Sequence, residues 1–364
     1  MFRRLRTFFR SLRSRRLQNR SGTPADDRLD IRNAHQGPPA SPESRVTTDA
    51  EASNSLSQSF FDSAQELRRS SPQTCNWLDT PDIQDIGEHA VDGGRYADVL
   101  KGRLDGRDVA IKSYRCYVCF DCDRIRMRFY KEARAYSLLS HRNIVPFVGV
   151  YSSLKHPFSL VFDFMERLNM TEYLGKEPNA RKVELVTGIA RGLHHMHDLG
   201  VVHGNLESTN VLVDSDGTPR IAGLGSAFTQ PSPVAWSENP HELTRCSAPE
   251  LINPEAFGLL EAQTTEASDV YAFGVLAYQV FAGNLVFHTL NDTAAMYSML
   301  GGSRPSRPDN PELSDRIWDM INKCWENTPS QRITIADAVS VLETELQKTR
   351  ETPSQLHLLS LLAF

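Results

Sequence analysis

The chain has 364 residues, 40% of them hydrophobic and 23% charged, an ordinary soluble composition that holds one large domain or two moderate ones with extensions. Its net charge of −5 combines +8 from the arginines of residues 1–20 with −13 from the remainder, so the larger part of the chain does not read as a nucleic-acid binder. No apolar run approaches the roughly 18 residues needed to span a bilayer, and six cysteines without a secretory signal point to free thiols in a reducing, intracellular compartment such as the cytoplasm.

Residues 1–20 place Phe2, Leu5, Phe9 and Leu12 at helical spacing, with arginine on the remaining faces. A basic amphipathic helix of this kind lies in an anionic membrane surface. The same Arg- and Ser-rich, acid-free composition also describes a mitochondrial presequence or a plain basic arm. Residues 21–76 are rich in Ser, Pro, Asp, Asn and Gln. They lack the apolar content that offsets ordering entropy, so a disordered linker is expected.

From 77 to 346 the chain reads as one domain, strand-rich in its first third and helical afterwards, followed by a tail over 347–364. Val91 to Leu104 predicts a hairpin with Gly93 and Gly94 at its bend, and Arg107-Asp-Val-Ala110-Ile-Lys112 predicts the next strand. Cys116, Cys119 and Cys122 form a C-x-x-C-x-x-C run. No fourth ligand stands at zinc spacing, so it reads as a cysteine-rich loop and no metal is assigned. Glu132 and Tyr136 lie on a predicted helix that ends in His141-Arg-Asn-Ile144-Val, and Ser159 to Glu166 predicts a buried strand running into a connector. A predicted amphipathic helix over 183–198 leads to Val-His203-Gly204-Asn205-Leu206-Glu207-Ser-Thr-Asn210. After a turn at Asp214-Ser-Asp216-Gly217 comes Arg-Ile-Ala-Gly223-Leu224-Gly225. Further on stand Ser247-Ala-Pro249-Glu250, Ser268-Asp269-Val-Tyr-Ala-Phe273-Gly274 and Cys324-Trp325 with Pro329 and Arg332.

These stretches, in this order over about 270 residues, resemble the eukaryotic protein kinase domain, and the last two resemble its tyrosine-kinase-like, Ser/Thr-directed group. The resemblance implies an α+β, two-lobed fold with a small β-rich N-lobe and a larger helical C-lobe. It implies an adenine site formed by Val99, Ala110, Leu212 and the connector residues Asp163 and Met165, with Phe162 behind the adenine. It also implies a glycine-rich turn in which only Gly94 keeps its glycine, while Asp92 and Ala97 stand at the other two positions. Lys112 is then the phosphate-binding lysine and Glu132 its helix-borne partner. Glu250 and Arg332 are expected as a buried pair, Asp269 as an anchor for the 203–210 backbone, and His203, Leu224 and Tyr136 as stacked core.

The chemistry departs from the family at four positions. Asn205 stands where the family places the base that accepts the substrate proton, and Gly223 where it places the principal magnesium ligand. Gly204 replaces an arginine, and Glu207 replaces a lysine beside the transferred phosphoryl group, reversing a charge there. Asn210, the second metal-binding position, survives. The expected function is a pseudokinase that works as a scaffold or allosteric regulator among protein partners in phosphorylation signalling, with ATP bound weakly and without magnesium. The alternative is a slow Ser/Thr kinase that transfers the ATP γ-phosphate to a protein hydroxyl.

Overall fold

The computed structural model describes residues 62, 65, 76–78, 82–94, 96–115, 122–165, 169–229 and 243–361, with the backbone alone at 122–124, 229 and 350–361. The expected N-terminal helix, nearly all of the linker, and Cys116 and Cys119 therefore lie outside the described residues, as does the side chain of Cys122.

Strands β1 (Ile83–Gln84), β2 (Asp92–Gly93), β3 (Ala97–Leu104) and β4 (Arg107–Tyr114) open the sheet. β3 and β4 are joined by the two-residue turn Asp105-Gly106, both at positive φ, the conformation that Asp-Gly supplies at little cost in a tight hairpin. Alternation along β4 then sorts its side chains by face. Val109 and Ile111 pack with Leu100, Leu104 and Val161 in a small core on one side. Ala110, Lys112 and Tyr114 fall on the other.

That second face meets helix α1 (Cys122–Leu138), which buries Phe129, Glu132, Ala133 and Tyr136 at helical spacing. β5 (Phe147–Tyr151) and β6 (Ser159–Asp163) complete an antiparallel sheet in the order β1-β3-β4-β6-β5, with β2 pairing the end of β3. β6 is the strand between β4 and β5, and only Asp163 at its end escapes full burial.

Helices dominate the second half. α2 (Met170–Lys176) is capped by the Asn169 side chain. α3 (Lys182–Asp198) buries Val183, Val186, Ile189, Ala190, Leu193 and Met196, the single apolar stripe expected of a helix lying on a core. Beyond it come β7 (Val201–Val202), a 3-10 turn over Ser208–Asn210, β8 (Val211–Val213), β9 (Pro219–Ile221) and β10 (Phe228–Thr229). β7 pairs with β10, and β8 with β9. α4 (Pro249–Ile252), α5 (Glu266–Ala282), α6 (Asp292–Leu300), α7 (Asp315–Cys324) and α8 (Ile335–Leu361) follow.

α5 is apolar on nearly every face and buried along most of its length. Its start is fixed by reciprocal Thr265 and Ser268 bonds, which satisfy two of the N–H groups a helix otherwise leaves open. The backbone of α8 runs on to Leu361 with no break at Leu346, so the expected tail begins as a continuation of that helix. The architecture is a two-lobed α+β fold, a curled antiparallel sheet with one helix followed by a helical lobe. Among the described residues no helix is long and apolar enough to cross a membrane.

Candidate functional site

The loop after β7 is held from beneath by α5. Asp269, 2% exposed, accepts the backbone N–H of His203 at 2.7 Å and of Gly204 at 2.9 Å, and His197 Nε2 lies 3.0 Å from the same carboxylate. Burial depresses the pKa of His203, which keeps the ring neutral. With Ala222 O 2.9 Å from Nε2 and the Asn205 N–H directed at Nδ1, the ring proton belongs on Nε2, since a carbonyl can only accept. The loop shape is thus set by buried groups on both sides.

On that loop Asn210 donates from Nδ2 to the Asn205 backbone carbonyl at 2.9 Å, and the Asn210 backbone carbonyl accepts from Ala222 N at 2.8 Å. Gly223 adopts φ 76° and ψ 37°, in the left-handed region. A Cβ added there would fall on the Asn210 side chain, 2.7 Å from its Cγ. Asn210 has therefore taken the space in which a side chain at 223 would stand. Glu207 accepts a hydrogen bond from Thr209 Oγ1 at 2.8 Å.

A magnesium ion prefers hard, usually carboxylate, oxygen donors, and this set does not fit it. Asn205 and Asn210 carry neutral amides, Gly223 carries nothing, and one Asn210 amide end is spent on the loop. Among the described residues no group of three or more His, Cys, Asp and Glu is placed to hold a metal ion.

The lysine side of the site is complete. Lys112 Nζ donates to both oxygens of Glu132, at 2.7 and 2.9 Å. The lysine side chain is 26% exposed and the glutamate fully buried. Tyr114, two residues on and therefore on the same face of β4, donates its hydroxyl to Glu132 as well. Burial, followed by the Glu132 charge, raises the Tyr114 pKa well above its ordinary value, which keeps that donor protonated. Tyr136 is raised in the same way, by burial first and Glu132 second, while its hydroxyl is held at the backbone of Leu224 and Gly223. Helix α1 thus reaches the lysine strand through Glu132 and the segment that carries Gly223 through Tyr136.

Of the apolar positions, Val99, Ala110 and Phe162 lie on the first sheet and Leu212 on β8 of the separate β8–β9 pair. Ala110 stands opposite Phe162 across β4 and β6, and Val99 opposite Lys112 across β3 and β4. Ala110 and Leu212 are half-buried against the main core. Phe162 packs on Tyr136 and Phe147, with ring centroids 4.7 and 5.6 Å away. Asp163 N donates to Pro146 O, and Met165 is half-buried beyond it.

The glycine turn is tied down by its own residues and by Arg115 and Asp98, which sequence reasoning did not single out. Asp92 Oδ1 accepts the Gly93 N–H at 2.7 Å, and Gly94 N–H goes to Ala97 O at 2.9 Å. Arg115 donates to both Asp98 oxygens and to the Gly94 carbonyl at 2.8 Å. The Arg128 guanidinium lies over the Tyr96 ring, 4.3 Å from its centroid. Two N–H groups at the bend are therefore already engaged within the chain.

The profile of the protein tyrosine and serine/threonine kinase family matches residues 87–342. The human receptor-interacting serine/threonine-protein kinase 1 is 30% identical over 217 residues, covering 56% of this chain and 32% of that protein. The serine/threonine/tyrosine-protein kinase HT1 of Arabidopsis thaliana is 26% identical over 260 residues, covering 69% of this chain and 63% of its own length. The RGS domain-containing serine/threonine-protein kinase A of Dictyostelium discoideum is 25% identical over 273 residues, covering 71% of this chain and 22% of its own. The match thus spans less than two thirds of each of these relatives. With the two-lobed fold, the Lys112–Glu132 pair and the Asp269-anchored loop in place, the chain belongs to the protein kinase family.

Proposed function

We propose that this protein is a pseudokinase, a kinase-fold regulator or scaffold that binds ATP without magnesium and acts on protein partners in phosphorylation signalling. The observation that carries the reading is the Asn210 side chain packed into the space beside Gly223. Phosphoryl transfer draws most of its rate from positioning and from neutralising charge on the transferred group, and both the metal-ligand and the base positions hold groups that supply neither. ATP fits the residues that remain. Val99, Ala110 and Leu212 offer apolar contact for adenine, and Lys112 offers a cation for phosphate.

One observation favours the second reading, a slow Ser/Thr kinase: the Lys112–Glu132 pair is formed, as phosphate positioning in active kinases requires. The two readings are separated by the thermal stability of the full chain with ATP, with and without magnesium, and with a Lys112→Ala control. A ligand at a hundred times its Kd stabilises by about 2.7 kcal/mol. The expected result is a shift that ignores magnesium and disappears in Lys112→Ala. A shift that requires magnesium, joined to transfer of the γ-phosphate onto a protein hydroxyl, would establish the kinase instead.

A further inference from the structure

The face of α1 that carries Glu132 also carries Arg128, four residues earlier and so one turn away. Its guanidinium lies between the glycine turn and the segment after β9. On one side is the Tyr96 ring, with its centroid 4.3 Å from Cζ. On the other is Gly225, where an added Cβ would stand 2.9 Å from both Nε and Nη2, so the guanidinium has taken the room of a side chain at 225. Burial and the Glu132 charge raise the Tyr114 pKa, and the Arg128 charge opposes them, which puts this second cation within electrostatic reach of the Lys112–Glu132 pair.

No anion accompanies this cation. Arg128 is half-buried, yet among the described residues it forms no ion pair and no hydrogen bond. Glu132 is engaged by Lys112 and Tyr114. Asp98, two residues beyond Tyr96, is engaged by Arg115, and Asp92 accepts the Gly93 N–H. A planar fork of N–H donors, positioned by an aromatic ring and a stretch of backbone, suits the oxygens of a phosphate. A polyphosphate brings several negative charges, and Lys112, whose own charge Glu132 offsets, does not balance them alone. With glycine at 223, the remaining positive charge has to come from the protein. We propose that Arg128 is a polyphosphate-binding residue, supplying at the nucleotide's phosphates the positive charge that a metal ion would otherwise bring. The inference rests on the reading of this protein as one that binds ATP without magnesium, and it names the side chain that makes such binding possible.

The test titrates the full chain with ATP, adenosine and inorganic tripolyphosphate by calorimetry, in the absence of magnesium. In the unaltered chain ATP is expected to bind more tightly than adenosine, and tripolyphosphate to bind by itself. Arg128→Gln weakens ATP and tripolyphosphate by about tenfold, the effect of one charged hydrogen bond, and leaves adenosine as it was. Arg128→Lys, which keeps the charge and loses the fork, falls between the two. A reading on the unaltered chain needs no variant: ATP slows the modification of Arg128 by phenylglyoxal, followed by mass spectrometry, and adenosine does not. If ATP binds but Arg128→Gln binds it equally well, or if bound ATP leaves the modification of Arg128 unslowed, the proposal is overturned while magnesium-free ATP binding stands. If tripolyphosphate binds through Arg128 and ATP does not bind, the polyphosphate site stands and the ATP reading falls. If neither ATP nor tripolyphosphate binds, both are overturned.

Discussion

A carboxylate restored at position 223 meets two local costs. The backbone there is left-handed, which costs a residue with a Cβ roughly 1 kcal/mol, and the incoming side chain must push Asn210 off the Asn205 carbonyl, another ~1 kcal/mol. Gly223→Asp is therefore expected to destabilise the unliganded chain by about 2 kcal/mol and, in exchange, to make the ATP-induced thermal shift depend on magnesium. A stable variant still indifferent to magnesium would show that the missing ligand is not what sets the behaviour of the site. His203 makes a second prediction. Its folded pKa lies below the ordinary 6.5, so the unfolded chain takes up the proton first, and the stabilisation present above pH 6.5 is lost as pH falls towards the folded value. The melting temperature is expected to fall between pH 7 and pH 5, with a shallower slope in His203→Gln. His141 and His156, also depressed chiefly by burial, add to the slope in both proteins, so an equal slope in the variant would exclude His203 as a contributor.

At the level of elements, the glycine turn and α1 show how much was legible beforehand. The hairpin bent at Gly93-Gly94, the helix carrying Glu132 and the 20-residue step from Lys112 to Glu132 could be read from local pattern and motif spacing. Arg115 could not, because an arginine just past a strand looks like any solvated charge, and its partner Asp98 faces it only once β3 and β4 pair in register. The same limit hid the Asn210 side chain beside Gly223 and the Arg128 guanidinium against Gly225, since side-chain direction is decided by packing. At its far end the backbone of α8 continues past Leu346 into the tail, as far as Leu361. The Arg115–Asp98 fork is about one-third exposed on each side, which limits its value to about 1 kcal/mol or less. Arg115→Ala is accordingly expected to leave the melting temperature within a few degrees while hydrogen exchange at the Gly94 amide speeds up several-fold. Unchanged exchange would mean that the turn is closed by its backbone alone.

For the molecule as a whole, one buried ion pair ties together distant parts of the helical lobe. Arg332 directs two hydrogen bonds at Glu250, both 2.7 Å, and three more at the carbonyls of Ala267, Glu326 and Asn327. Both side chains are almost wholly buried. Removing one partner strands the other, at about 3–5 kcal/mol. Arg332→Ala is expected to lower the melting temperature by roughly 10 °C, and a change under two degrees would contradict the pairing. A different kind of robustness follows from Asp269. Because the 203–210 loop is suspended from a helix that takes no part in phosphate chemistry, its geometry does not depend on what stands at position 205. Mutational drift can erase or restore a proton acceptor there while the fold registers almost nothing, so the shape of this domain and its catalytic competence can be inherited separately.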